Sequence, residues 1–91
     1  MLFFTTIIAQ AQVTEIEFSV ERGFYDNPFA VELVSDDPAA TIRYTIDNTK
    51  PSRSSGIIYT DPITISNTTS IRAIAYTEVS STSVTTHSYI F

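Results

Sequence analysis

Turn-forming residues interrupt this chain about every eight to twelve positions, and the stretches between them alternate apolar with polar. The clearest stretch is "TIRYTI" at 41–46. Ile42, Tyr44 and Ile46 fall on one face, and Thr41, Arg43 and Thr45 on the other. A period of two belongs to a half-buried strand, because successive side chains point to opposite faces. "VTEIEFSV" repeats the pattern, setting Ile16, Phe18 and Val20 against Glu15, Glu17 and Ser19. "FAVELV" puts Phe29, Val31 and Leu33 together. "IIYT", "ITIS", "SIRAIAYT" and "SVTTHSYIF" complete a set of about seven strands. The punctuation between them is rich in Gly, Pro, Asn, Asp and Ser: "GFYDNP", "SDDPAA", "DNTKPSRSSG", Asp61-Pro62, "NTT" and "EVSST". No segment carries a sustained helical stripe, and no repeat recurs at solenoid or propeller periods. The pattern predicts an all-β antiparallel sandwich or barrel. The predicted core is Phe18, Val31, Leu33, Ile42, Tyr44, Ile63, Ile65, Ile71, Ala73 and Tyr89.

Composition narrows the function. Ninety-one residues make one small domain. Charged residues are 16%, against a usual figure of about 25%, and the net charge is −5. The five basic residues, Arg22, Arg43, Lys50, Arg53 and Arg72, are scattered. Nucleic acid and anionic membrane surfaces both need concentrated positive charge, so neither is an expected partner. Without cysteine there is no disulfide framework, thiolate metal site or cysteine nucleophile.

The first residues, "MLFFTTIIAQAQ", read as an apolar run ending in Ala9-Gln10-Ala11. This has the shape of a signal-peptide core with its A-x-A cleavage site, although no Lys or Arg precedes the run. The expected organisation is a signal-peptide remnant at 1–11 and one module at 12–91, with residues 1–11 as a first strand the alternative. The run is too short for the roughly 20 residues of a membrane span. The chain closes on a strand at Phe91 without a polar tail, as a module within a longer protein would.

Five elements in register carry a resemblance: "FSVERGFYDNPFAVEL", "ATIRYTIDNTKP", "IYTDPITI", "TTSIRAIAYT" and "SVTTHSYIF". Together, from Phe18 to Phe91, they resemble the chitobiase/β-hexosaminidase C-terminal domain family, the Fn3-like modules of secreted bacterial carbohydrate-active and cell-surface proteins. The family pattern has a Gly-Gly-aromatic turn where this chain has Arg22-Gly23-Phe24. It has Asp-Gly after the central strand where this chain has Asp47-Asn48. Asn is the non-glycine residue that best tolerates a left-handed backbone, so the turn is expected to survive. The resemblance implies a seven-stranded immunoglobulin/fibronectin III-like sandwich that is secreted, periplasmic or on the cell surface. It also implies an accessory role beside neighbouring domains of a larger parent, with catalytic residues lying in those other domains.

Candidate chemistry in the residues themselves is sparse. His87 is the only histidine, and it lacks the second ligand or nucleophile elbow that metal or Ser-His-Asp chemistry requires. Asp26, Asp36, Asp37, Asp47 and Asp61 all sit in turns, but no calcium-loop spacing links them. Asn67-Thr68-Thr69 matches a glycosylation sequon and equally a turn before a strand. No cofactor or metal is expected. The outward faces of two strands suggest a binding patch of Arg43, Thr45, Arg72, Ile74, Tyr76 and His87, since an aromatic among arginines can stack on a sugar or dock a protein. Three readings follow: a spacer or docking module, a carbohydrate-binding module using this face or the loop tips, and, more remotely, a small hydrolase needing a deep polar pocket.

Overall fold

A computed structural model describes residues 13–91, and all the regular structure among them is strand. One layer is built from β1 (Ile16–Phe18), β3 (Phe29–Val31), β4 (Leu33–Ser35) and β7 (Ile63–Ile65). β1 pairs antiparallel with β4, and β3 pairs antiparallel with β7. β3 and β4 are one run broken at Glu32. Ser19 satisfies the backbone at the break: its Oγ accepts the Glu32 N–H at 2.7 Å, and its own N–H donates to the Glu32 carbonyl at 2.9 Å. The break is at the exposed residue Glu32, and the pair of bonds to Ser19 keeps its backbone groups partnered.

The other layer is a five-stranded sheet in the order β2-β9-β8-β5-β6. Its strands are β2 (Gly23–Phe24), β5 (Thr41–Thr45), β6 (Ile57–Ile58), β8 (Thr69–Tyr76) and β9 (Thr85–Ile90). β2 runs parallel to β9, and the other pairs are antiparallel. Among the described residues nine strands thus stand where about seven were expected. One predicted strand is split at Glu32, and Gly23-Phe24, inside a predicted turn, extends the sheet edge.

The alternating faces meet in one core. Val31, Leu33, Ile63 and Ile65 come from one layer, and Ile42, Ile71, Ala73, Ala75 and Tyr89 from the other. Val13 and Ile16 close one side of it. Each large apolar side chain contributes about 1.5–3 kcal/mol when fully buried. Phe29 packs edge-on to Tyr89 at 5.3 Å and lies 4.7 Å from Tyr25, extending the core as an aromatic cluster.

Three expectations need correction. Tyr44 and Phe18 are half-buried rather than buried. Ile46 is 50% exposed, because β5 ends at Thr45 and the chain turns away before reaching the opposite layer. The expected leader at 1–11 lies outside the described residues.

Candidate functional site

The pairing of β5 with β8 places Thr41 opposite Tyr76, Arg43 opposite Ile74 and Thr45 opposite Arg72. These side chains share the outer face of the five-stranded sheet, as their alternation predicts. What alternation does not predict is that the chain's own loop, residues 46–56, lies across that face.

The loop begins with Asn48 at φ 69°, the left-handed conformation expected of it. Asp47 Oδ1 accepts from the Thr49 hydroxyl at 2.6 Å and the Thr49 N–H at 3.2 Å. These bonds stabilise the ionised form, so they hold the Asp47 carboxyl below the usual carboxylate range. Pro51 is buried, and Ser52 bridges to Ser55. Gly56, at φ +109°, returns the chain to β6; a Cβ there would meet the Tyr44 carbonyl oxygen at 3.1 Å.

The face beneath supplies the hydrogen bonds that hold this loop. Arg43 donates through Nη1 to the Gly56 carbonyl and through Nε to the Tyr76 hydroxyl, both at 2.9 Å. Tyr76 Oη donates in turn to the Arg53 carbonyl at 3.3 Å. Thr45 Oγ1 donates to the Thr49 carbonyl at 2.6 Å, and Arg72 Nη1 to the Asn48 carbonyl at 2.9 Å. Thr45 is consequently only 6% exposed and cannot form part of an open patch.

His87 is not on this face. Its register partner is Ile71, which is fully buried, so the imidazole points to the inner face. It stacks on Phe18 with ring centroids 4.0 Å apart and planes 13° from parallel. Burial of the ring, and then the nearby Arg22 cation, push its pKa below the ordinary histidine value. Glu21 and the Val20 backbone oppose the shift without reversing it. Nδ1 is buried without a hydrogen-bond partner. The imidazole is therefore half-buried against Phe18 on the inner side of β9, away from the expected patch.

At one end of the outer face lie the 36–40 and 77–81 turns. An open cleft of about 630 Å³ lies there. Thr41 and Tyr76, cross-strand neighbours, contribute to its lining from the sheet, with Asp37, Glu78 and Val79 from the two turns and Arg53 from the crossing loop. The Arg53 guanidinium sits 5.1 Å from the Tyr76 ring centroid. It donates to the Thr77 carbonyl and, at 3.1 Å, to the Ser80 carbonyl. Asp37 is fixed by the Ala39 N–H at 2.9 Å. Of the expected patch, only Tyr76 lines this cleft, and Arg43 supports it from behind. Ile74 and Arg72 share the face but lie outside the cleft. Sequence alternation missed Arg53, because it sits in a turn-residue cluster with no strand period to place it.

Asp36 is likewise taken up by the chain's own backbone and side chains. Asp36 accepts from the Thr14 hydroxyl at 2.5 Å and from the Thr14 and Glu15 N–H groups at 3.0 and 3.2 Å. These bonds lower its pKa. Thr69 Oγ1 donates to the Asn67 carbonyl at 2.9 Å, closing the sequon segment as a turn. Among the described residues, no three His, Asp or Glu side chains come together as a metal centre.

Two layers, with the β2 edge strand parallel to the last strand and every other pairing antiparallel, define an immunoglobulin-like β-sandwich. The family model for the chitobiase/β-hexosaminidase C-terminal domain matches residues 20–87, and the chain belongs to that family. The family is an accessory domain of those glycosidases. No curated protein and no solved structure matched the chain.

Proposed function

We propose that this chain is a non-catalytic accessory module of a secreted or cell-surface protein, which spaces, docks or stabilises the neighbouring domains of a larger parent. The observation that carries this reading is the family match over residues 20–87. The internal use of the outer face supports it: Arg43, Thr45 and Arg72 are committed to the chain's own loop. An A-x-A segment at 9–11 supports export, with cleavage after Ala11.

The test is deletion of residues 12–91 from the parent protein. Turnover of a small soluble substrate should persist, while the melting temperature of the adjoining domain falls. Loss of turnover in a parent whose adjoining domain keeps its melting temperature would overturn the non-catalytic reading. Mass spectrometry of the exported protein should find Gln12 at its N-terminus; an intact Met1 would remove the leader.

A further inference from the structure

The cleft between the 36–40 and 77–81 turns has the size and the mixed chemistry of a small-ligand site. Its volume, about 630 Å³, lies in the usual range for such sites, roughly 300–1,000 Å³. Its lining side chains are of three kinds. The Tyr76 ring and the 63% exposed Val79 side chain offer apolar surface. The Asp37 and Glu78 carboxylates accept hydrogen bonds and Arg53 donates them. Two guanidinium nitrogens already serve the Thr77 and Ser80 carbonyls, and five N–H donors leave more than half to spare.

The walls are also held in place. Tyr76 Oη is fixed between Arg43 and Arg53, Arg53 is tied to the 77–81 turn, and Asp37 is tied to Ala39. Side chains already ordered lose little entropy when a ligand arrives. The two carboxylates, within a chain of net charge −5, disfavour phosphates, uronates and other anions. Charges of both signs in the lining disfavour a lipid tail. A ring with apolar C–H faces and hydroxyls that both donate and accept matches all three kinds of side chain at once.

We propose that this cleft binds a short neutral oligosaccharide of pyranose units, with C–H faces against Tyr76 and Val79 and hydroxyls shared between Arg53, Asp37 and Glu78. The binding goes beyond the accessory role and does not depend on it.

The full 91-residue chain is titrated, with backbone amide NMR shifts as the readout. The probes are β-1,4-linked trisaccharides of glucose, mannose and N-acetylglucosamine, a uronate trisaccharide, and trilysine. At least one neutral trisaccharide should shift the amides of 37–41 and 77–79, with a dissociation constant of about 1 mM or below. Glu78→Gln and Val79→Ser lie on an exposed turn and should each weaken that binding about ten-fold at unchanged melting temperature. Silence with every neutral trisaccharide at about 10 mM overturns the proposal. Shifts that both variants leave intact overturn it too, as does a response to trilysine or the uronate alone. Deletion from the parent separates this result from the accessory role, because that experiment reads the adjoining domain and no sugar.

Discussion

Tyr89 is the aromatic side chain on which the sandwich most depends. It is fully buried, and its hydroxyl donates to the Val20 carbonyl at 2.7 Å, joining the last strand to the segment after β1 across most of the chain. Tyr89→Phe removes one oxygen and leaves the ring packing intact. A part-buried carbonyl deprived of its donor costs about 1–2 kcal/mol. In a domain of this size each kcal/mol lowers the melting temperature by about 4–8 °C, so the expected drop is about 4–16 °C. Tyr44→Phe is the control: no described residue hydrogen-bonds the half-buried Tyr44 hydroxyl, and its removal should move the melting temperature by less than about 2 °C. Circular dichroism melts of the two variants and the parent chain measure the contrast. Equal melting temperatures for Tyr89→Phe and the parent would refute the Val20 bond as a stabilising contact. An alkaline titration followed at 295 nm checks the same site. Burial, with Tyr25 and Glu21 nearby, pushes the Tyr89 phenol up to about 12 from an ordinary 10. The fold favours the neutral phenol, so this contribution is complete below about pH 10 and lost as pH rises through about 12.

Gly56→Ala forces a side chain into a φ of +109° and against the Tyr44 carbonyl. A loss of about 1–3 kcal/mol is expected in urea denaturation, and an unchanged midpoint would show that the loop can lift from the face. Asn48→Val places a β-branched residue at φ 69°, with a cost of about 1–2 kcal/mol, whereas Asn48→Gly should be neutral or better; equal midpoints for the two would remove the left-handed turn as the cause. For His87 the folded-state pKa is depressed, so stability holds above the unfolded value of about 6.5 and declines as pH falls from there toward the folded pKa. His87→Phe should flatten that slope in melts between about pH 7 and 4; an unchanged slope would assign the acid sensitivity to other groups.

The buried face of most strands was legible because a two-residue period leaves little choice of it. Ile42, Ile63, Ile65, Ile71 and Ala73 all lie in the core where alternation put them. The placement of His87 failed for a reason already present in the sequence. Residues 87 and 89 share a face of any regular strand, so Tyr89 in the core and His87 on the outer face could not both hold. The run "SVTTHSYIF" carries apolar residues at both parities, and the aromatic end hid the conflict. Pairing with β8 settles it, by setting His87 against Ile71 and Tyr89 against Thr69.

The site was harder to read because turn residues reveal where a chain reverses and not what it then covers. "DNTKPSRSSG" announces a turn through Asp47, Asn48, Pro51 and Gly56, each in a role its chemistry suits. That the same ten residues shield the arginines and threonine of the neighbouring strands follows from three-dimensional contacts: buried Pro51, the close approach of Gly56, and the carbonyls that Arg43, Thr45 and Arg72 reach. Those contacts change what the outer face can do. A bare sheet presenting Arg43, Arg72 and Tyr76 would be a broad polar surface. With the loop across it, Arg43 and Arg72 hold backbone carbonyls, and Tyr76 remains within reach of a ligand through the cleft beside Arg53. The ligand proposed for this face would therefore sit not at the middle of the sheet but at its rim, in the cleft that Asp37, Arg53 and Glu78 line.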